Sequence, residues 1–170
     1  MKAVRYAVAI SCMAMLLRPI PAQQTSAGGG QAQVTFYSSG NFAKSILPGY
    51  KYGKFTGRIM DEYDQLAMLT PGHFVTFNLD PGQHTLSNNS WMIPRPEGGG
   101  HLNVDFVGGK HYYIATFLRS VPIGWDFRME LRTCEQAQKD NKDAKPLDSE
   151  HLKEYGKPRV VSEPTFPSCP

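Results

Sequence analysis

From residue 72 to residue 117, apolar and polar side chains alternate, and Pro-Gly or Gly-Gly pairs interrupt the alternation. A period of two puts every second side chain on one face of an extended chain, so this stretch predicts half-buried strands joined by short turns. Over residues 74–79, Val75, Phe77 and Leu79 share one face, while Thr76 and Asn78 take the other. Asp80-Pro81-Gly82-Gln83 suits a turn: proline presets φ at its second position and glycine tolerates positive φ at its third. Residues 102–107 and 110–118 predict a hairpin across Gly108-Gly109, with Phe106 opposite His111, Val104 opposite Tyr113 and Leu102 opposite Ala115. Its core face then carries Leu102, Val104, Phe106, Tyr113, Ala115 and Phe117, leaving Tyr112 and Ile114 on the reverse.

Weaker patterns of the same kind cover residues 34–37, 54–60, 64–70 and 125–132, the last with Phe127, Met129 and Leu131 inward. Together these segments predict an all-β fold, an antiparallel β-sandwich of about seven strands over residues 33–132. The composition shifts after Cys134. Residues 135–146 are charged and polar, which suits a solvated helix or a loop. Residues 149–155 predict a short helix that Asp148 or Ser149 can cap, Gly156 ends and Pro158 blocks. The expected C-terminal tail, residues 133–170, is therefore mostly irregular.

The N-terminus carries a different pattern. Lys2 and Arg5 open it, an apolar run spans residues 6–17, and Arg18-Pro19-Ile20-Pro21-Ala22 closes it. The run has the length of a signal-peptide core and falls short of the ~18 residues a membrane span needs. Residues 1–22 thus read as a secretory signal cut after Ala22, followed by a flexible Gly- and Gln-rich leader over residues 23–32. The expected location is periplasmic or secreted. Acylation at Cys12 leaves too short an apolar stretch before the cut, which argues against a lipid anchor there.

Removing the signal changes the charge. The 18 basic residues fall to 15 without Lys2, Arg5 and Arg18, matching the 15 acidic ones. Nucleic-acid binding loses its support, because phosphate neutralisation needs a cationic surplus. The mature chain keeps Cys134 and Cys169, which pair by default in an oxidising compartment. Closing that loop contributes about 4 kcal/mol on chain-entropy grounds.

At GHFVTFNLDPGQHTLS, followed by GGKHYYIATF, the chain resembles an uncharacterised family of bacterial exported and lipid-anchored proteins with a domain of unknown function. The matching residues are Gly72, Phe74, Leu79, Pro81, Gly82, His84, Leu86, Gly109, Tyr112 and Tyr113. The resemblance covers residues 33–132 and implies an envelope or secreted location. It also implies a sandwich of the transthyretin-like or carboxypeptidase-regulatory-like kind, and it brings neither an activity nor catalytic residues.

Candidate chemistry is sparse. His73, His84, His101 and His111, with Asp61, Asp80 and Asp105, could supply metal ligands, yet no pair has the close spacing of a metal motif. His84 follows the Pro-Gly turn, where its imidazole can instead fix loop carbonyls. No G-x-S-x-G elbow is present, and Gly98-Gly99-Gly100 lacks the Lys-Ser/Thr of a phosphate loop. The expectation is a non-catalytic module with no cofactor. If it binds a ligand, the residues to carry it are His84, Tyr112 and Trp91, with an envelope protein or a glycan as partner. The competing reading places the spare aromatics Phe74, Tyr112, Trp91 and Tyr50 in a second core layer beneath loops or the tail.

Overall fold

The computed structural model describes residues 30–38, 57–90, 100–121, 124–141 and 143–169. The signal segment, its cut after Ala22, Cys12, most of the leader, Tyr50 and Trp91 lie outside the described residues.

Among the described residues, ten strands form two sheets. They are β1 (Ala32–Ser38), β2 (Gly57–Asp61), β3 (Asp64–Leu69), β4 (His73–Leu79), β5 (Gly82–Ser90), β6 (Gly100–Phe106), β7 (His111–Val121), β8 (Gly124–Arg132), β9 (Lys145–Pro146) and β10 (Val160–Val161). One sheet runs β10-β4-β1-β7-β8, with β9 also on β4; the other runs β3-β2-β5-β6. The chain is an all-β sandwich. Its pairing is mostly antiparallel, but β1 lies parallel to β7 and β9 parallel to β4.

The core between the sheets follows from the period of two. Val34 and Phe36 of β1, Val75, Phe77 and Leu79 of β4, and Ile59, Leu66 and Leu86 from the facing sheet are all buried there. The turn expected over residues 80–83 is tighter, a bend at Pro81 with Gly82 and Gln83 already in β5, and Gly82 takes φ 127°, a region closed to most side chains.

The expected hairpin is absent. β6 and β7 do not form a hairpin: β6 pairs with β5, and β7 pairs with β1 and β8, in opposite sheets. Gly108-Gly109 is a corner between sheets rather than a turn within one. Because β7 takes different neighbours, it presents the other parity inward. Ile114 and Tyr112 join the inter-sheet core, whereas Tyr113, Ala115 and Phe117 face outward into a second cluster. His111 leaves the Phe106 face with them. At the end of β8, Leu131 is 49% exposed rather than inward.

The tail supplies the cover for that outward face. Its helix α1 (Cys134–Asp140) starts in a capping box, with Thr133 accepting from the Gln136 N–H and the Gln136 side chain accepting from the Thr133 N–H. Ala137 is the buried residue on its inner side. Next, β9 and β10 occupy the free edge of β4, at residues 73–74 and 76–77 respectively. Between them Leu152 bridges to Ala67 of β3, so the tail closes one side of the sandwich by touching both sheets. The helix expected over residues 149–155 shrinks to a single 3-10 turn, Ser149–His151, because residue 152 must be extended to make that bridge. Gly156 then passes so close to β3 that a Cβ there would collide with the Leu66 carbonyl.

Candidate functional site

Two of the residues singled out in the sequence meet. His84 and Tyr112 flank the buried Phe106 ring, with ring centroids 5.0 Å and 4.9 Å from it. Their polar ends point to backbone and carboxylate groups of the fold. The Tyr112 hydroxyl accepts from the Val107 N–H at 2.9 Å, which fastens the Gly108-Gly109 corner. His84 Nδ1 donates to both carboxylate oxygens of Asp61 at 3.0 Å, and Nε2 donates to the Asp80 carbonyl at 2.9 Å. Both partners are acceptors only, so the imidazole is best served as a double donor, the protonated form. The Asp61 hydrogen bond raises the His84 pKa above its ordinary value, against the opposing effect of burial. His84 therefore ties β2, β5 and the turn at residues 80–82 into one unit. Trp91, the third candidate, lies outside the described residues.

The remaining histidines do not converge. His73 Nδ1 sits 2.9 Å from Thr70 Oγ1 and 3.0 Å from the Pro71 carbonyl, within its own turn. Among the described residues, the group with metal-ligand spacing is Asp148, Glu150 and His151, whose ligand atoms lie within 4.8 Å of one another. All three come from one local turn, and the two carboxylates are exposed.

The richer site lies on the outward face of β1, β4 and β7, beneath the tail. There His111 Nε2, Thr35 Oγ1 and Thr76 Oγ1 are linked by contacts of 2.7 Å each, and Thr76 donates to Glu163 at 2.9 Å. A hydroxyl has one proton, so the directions are fixed from the far end. Thr76 gives its proton to the carboxylate, Thr35 must donate to Thr76, and His111 must donate from Nε2 to Thr35. Burial lowers the His111 pKa, with Glu163 acting weakly against it, so the imidazole is held neutral. Neither threonine hydroxyl contacts water freely: Thr35 and Thr76 are both buried.

Beside this chain of hydroxyls, three aromatic rings gather around Phe166 of the tail. Tyr37, Phe74 and Tyr113 have centroids 5.6, 5.2 and 6.1 Å from it. His111 stacks flat on Tyr113 at 4.5 Å. The Tyr37 hydroxyl reaches Asp140 of α1 at 3.5 Å, and burial followed by the Asp140 charge pushes its pKa up. Tyr113 is 4% exposed, yet its hydroxyl is buried with no hydrogen-bond partner among the described residues. Its pKa is raised, first by burial and then by Glu163 and Glu135.

The segment that covers these rings is fastened at several points. Cys134 at the start of α1 and Cys169 form a disulfide, with Cα atoms 5.6 Å apart. Gln138 of α1 donates to the Pro167 carbonyl at 3.2 Å. Thr35, Thr76, Phe166 and Glu163 were not among the residues picked from the sequence. Thr76, which alternates with Val75 and Phe77, reads as solvent-facing, and only the lone Phe166 between two prolines near Cys169 hints at a buried contact. No family of known proteins, curated protein or solved structure matches this chain.

Proposed function

We propose that the chain is a non-catalytic exported envelope protein, a structural or accessory β-sandwich module. The observation that carries this reading is the Cys134–Cys169 disulfide, which fits an oxidising compartment and fastens the tail over the outer face. The histidine chemistry points the same way. His84 has both ring nitrogens committed to Asp61 and Asp80, and His111 spends Nε2 on a hydroxyl that is itself buried. A general base needs an accessible nitrogen aimed at substrate.

Expression of the full chain in a bacterium tests the export half. A mature N-terminus at Gln23 in the periplasmic or culture fraction is the expected result, and an intact chain retained in the cytoplasm overturns it. Ester, amide, glycoside and phosphoester reporters test the other half. Turnover that disappears in His111→Ala or His84→Ala would mark the protein as an enzyme.

A second reading, a soluble glycan- or peptide-binding module, is favoured by the cluster of aromatic rings around Phe166.

A further inference from the structure

We infer that residues 162–168 are a strap lying in a peptide-binding groove of the outer face, and that the groove takes a peptide with an acidic residue three positions before an aromatic one. This rests on the binding-module reading rather than on export.

The strap itself shows what the groove accepts. Glu163 and Phe166 are its two anchoring side chains: the carboxylate is held by Thr76, and the ring enters the pocket of Tyr37, Phe74 and Tyr113. Pro164 and Pro167 restrict the backbone of the segment, which bends at residues 164–165, and so lower the entropy a bound chain must lose. The trough continues past the strap on either side. A cleft of about 420 Å³ borders it at Thr76, Leu147 and Val161, and one of about 520 Å³ borders it at Gln138, Asn141 and Ala144. Pro164 lines both, so the strap runs between the two clefts.

The strap also leaves a group unsatisfied. The Tyr113 hydroxyl is buried against it without an acceptor among the described residues, and a buried donor left unpaired is costly. A strap selected only to complete a core has no use for that hydroxyl. A peptide whose backbone carbonyl reaches Tyr113 would supply the missing acceptor. One covalent bond guards the opening. A dithiol reductant can open it: the Cys134–Cys169 S–S bond breaks, each sulfur leaves as a thiol, and the reductant is oxidised to its own disulfide.

The test uses the full mature chain and a fluorescent peptide copying residues 162–168. A strap tethered in cis competes at high effective concentration, so the receptor carries Cys134→Ser, Cys169→Ser and Phe166→Ala. Fluorescence anisotropy is expected to show saturable binding to this variant and none to the oxidised wild type. Replacing the peptide's phenylalanine by alanine should weaken binding at least about tenfold, as for a buried aromatic anchor. Adding Tyr113→Phe to the receptor should weaken it several-fold while leaving its melting temperature unchanged or higher. A folded receptor that ignores the peptide, or does not distinguish phenylalanine from alanine, overturns the proposal.

If that receptor does not fold, hydrogen exchange on the wild type decides. Dithiothreitol should speed exchange over residues 163–168 while β1 and β4 stay protected, and excess peptide should slow exchange at Tyr37 and Phe74 further. No peptide effect overturns the groove. Reduction that instead yields dimers which excess peptide cannot dissolve makes a second copy the occupant, and the peptide assignment falls. Binding of soluble oligosaccharides but not of the peptide also overturns it, while leaving a binding module in place. Binding of neither removes both.

Discussion

The two faces of the β1-β4-β7 sheet are both buried, but they are built from different chemistry. The inner face is mostly apolar: Val34, Phe36, Val75, Phe77 and Ile114 meet the facing sheet, and the one phenol beside them, Tyr112, has its hydroxyl on the Val107 N–H. The outer face alternates rings with hydroxyls, and it adds a neutral histidine, a carboxylate and an unpaired phenol. The first is a seam that a whole sheet covers, and opening it exposes mostly hydrocarbon. The second is a covered surface whose cover is a short segment fixed by a disulfide and a few hydrogen bonds. Burial alone does not make a core. What separates the two faces is whether the covering layer is a sheet or a strap.

The sharpest way to break that comparison is to truncate one ring on each side. Phe77 is fully buried between the sheets, and Phe77→Ala should cost about 3–5 kcal/mol of unfolding free energy. Phe166 is only partly buried, and Phe166→Ala should cost about 1–2 kcal/mol. Urea unfolding measures both; equal losses would make the strap as integral as the seam. The double substitution Cys134→Ser with Cys169→Ser should cost about 2–4 kcal/mol, mostly by freeing the unfolded chain. Hydrogen exchange sharpens the point: residues 163–168 should lose protection while β1 keeps it. If β1 loses it equally, tail and sandwich unfold as one unit. Gly156→Ala should cost about 1–3 kcal/mol, because the added methyl meets the Leu66 carbonyl where the tail docks on β3. A melting temperature unchanged in that variant would show that the docking is loose.

The sandwich was legible in the sequence because its signals are local. The period of two in residues 74–79 needs no partner to be read, and β4 forms where that signal puts it, while β5 starts at Gly82, inside the expected turn. The parity of β7 was not legible. Tyr113 and Ile114 are both apolar enough for a core, and which one faces inward depends on β1, a neighbour roughly eighty residues earlier in the chain, rather than on the adjacent Gly-Gly pair. Half of the His84 role could be read from the turn beside it, four residues from the Asp80 carbonyl. The other half, Asp61, lies 23 residues away on another strand. The outer face was hidden for a plainer reason: Thr35 and Thr76 mark a wet surface unless something covers them, and a polar, proline-broken tail does not announce itself as cover. The Thr133–Gln136 capping box was the readable sign of helix α1.

The smallest effect separates the two regions by the sign of their pH dependence. In the folded chain His84 has a raised pKa, owing first to its hydrogen bond with Asp61, so its contribution to stability is complete below the ordinary value of about 6.5. That contribution is lost as pH rises through the raised folded value, when Nε2 gives up its proton and faces the Asp80 carbonyl without one. The loss should be about 1 kcal/mol, the usual worth of one hydrogen bond. His111 behaves oppositely. Burial lowers its pKa, so its contribution is complete above about 6.5 and declines as pH falls from there toward the lowered folded value. Stability measured by urea unfolding between pH 5 and 9 should therefore fall on both flanks. His84→Gln should flatten the alkaline flank alone, and His111→Gln the acid flank alone. If either variant flattened both, the brace at the sheet end and the hydroxyl chain under the strap would be one electrostatic unit, and the division between the two faces would fail.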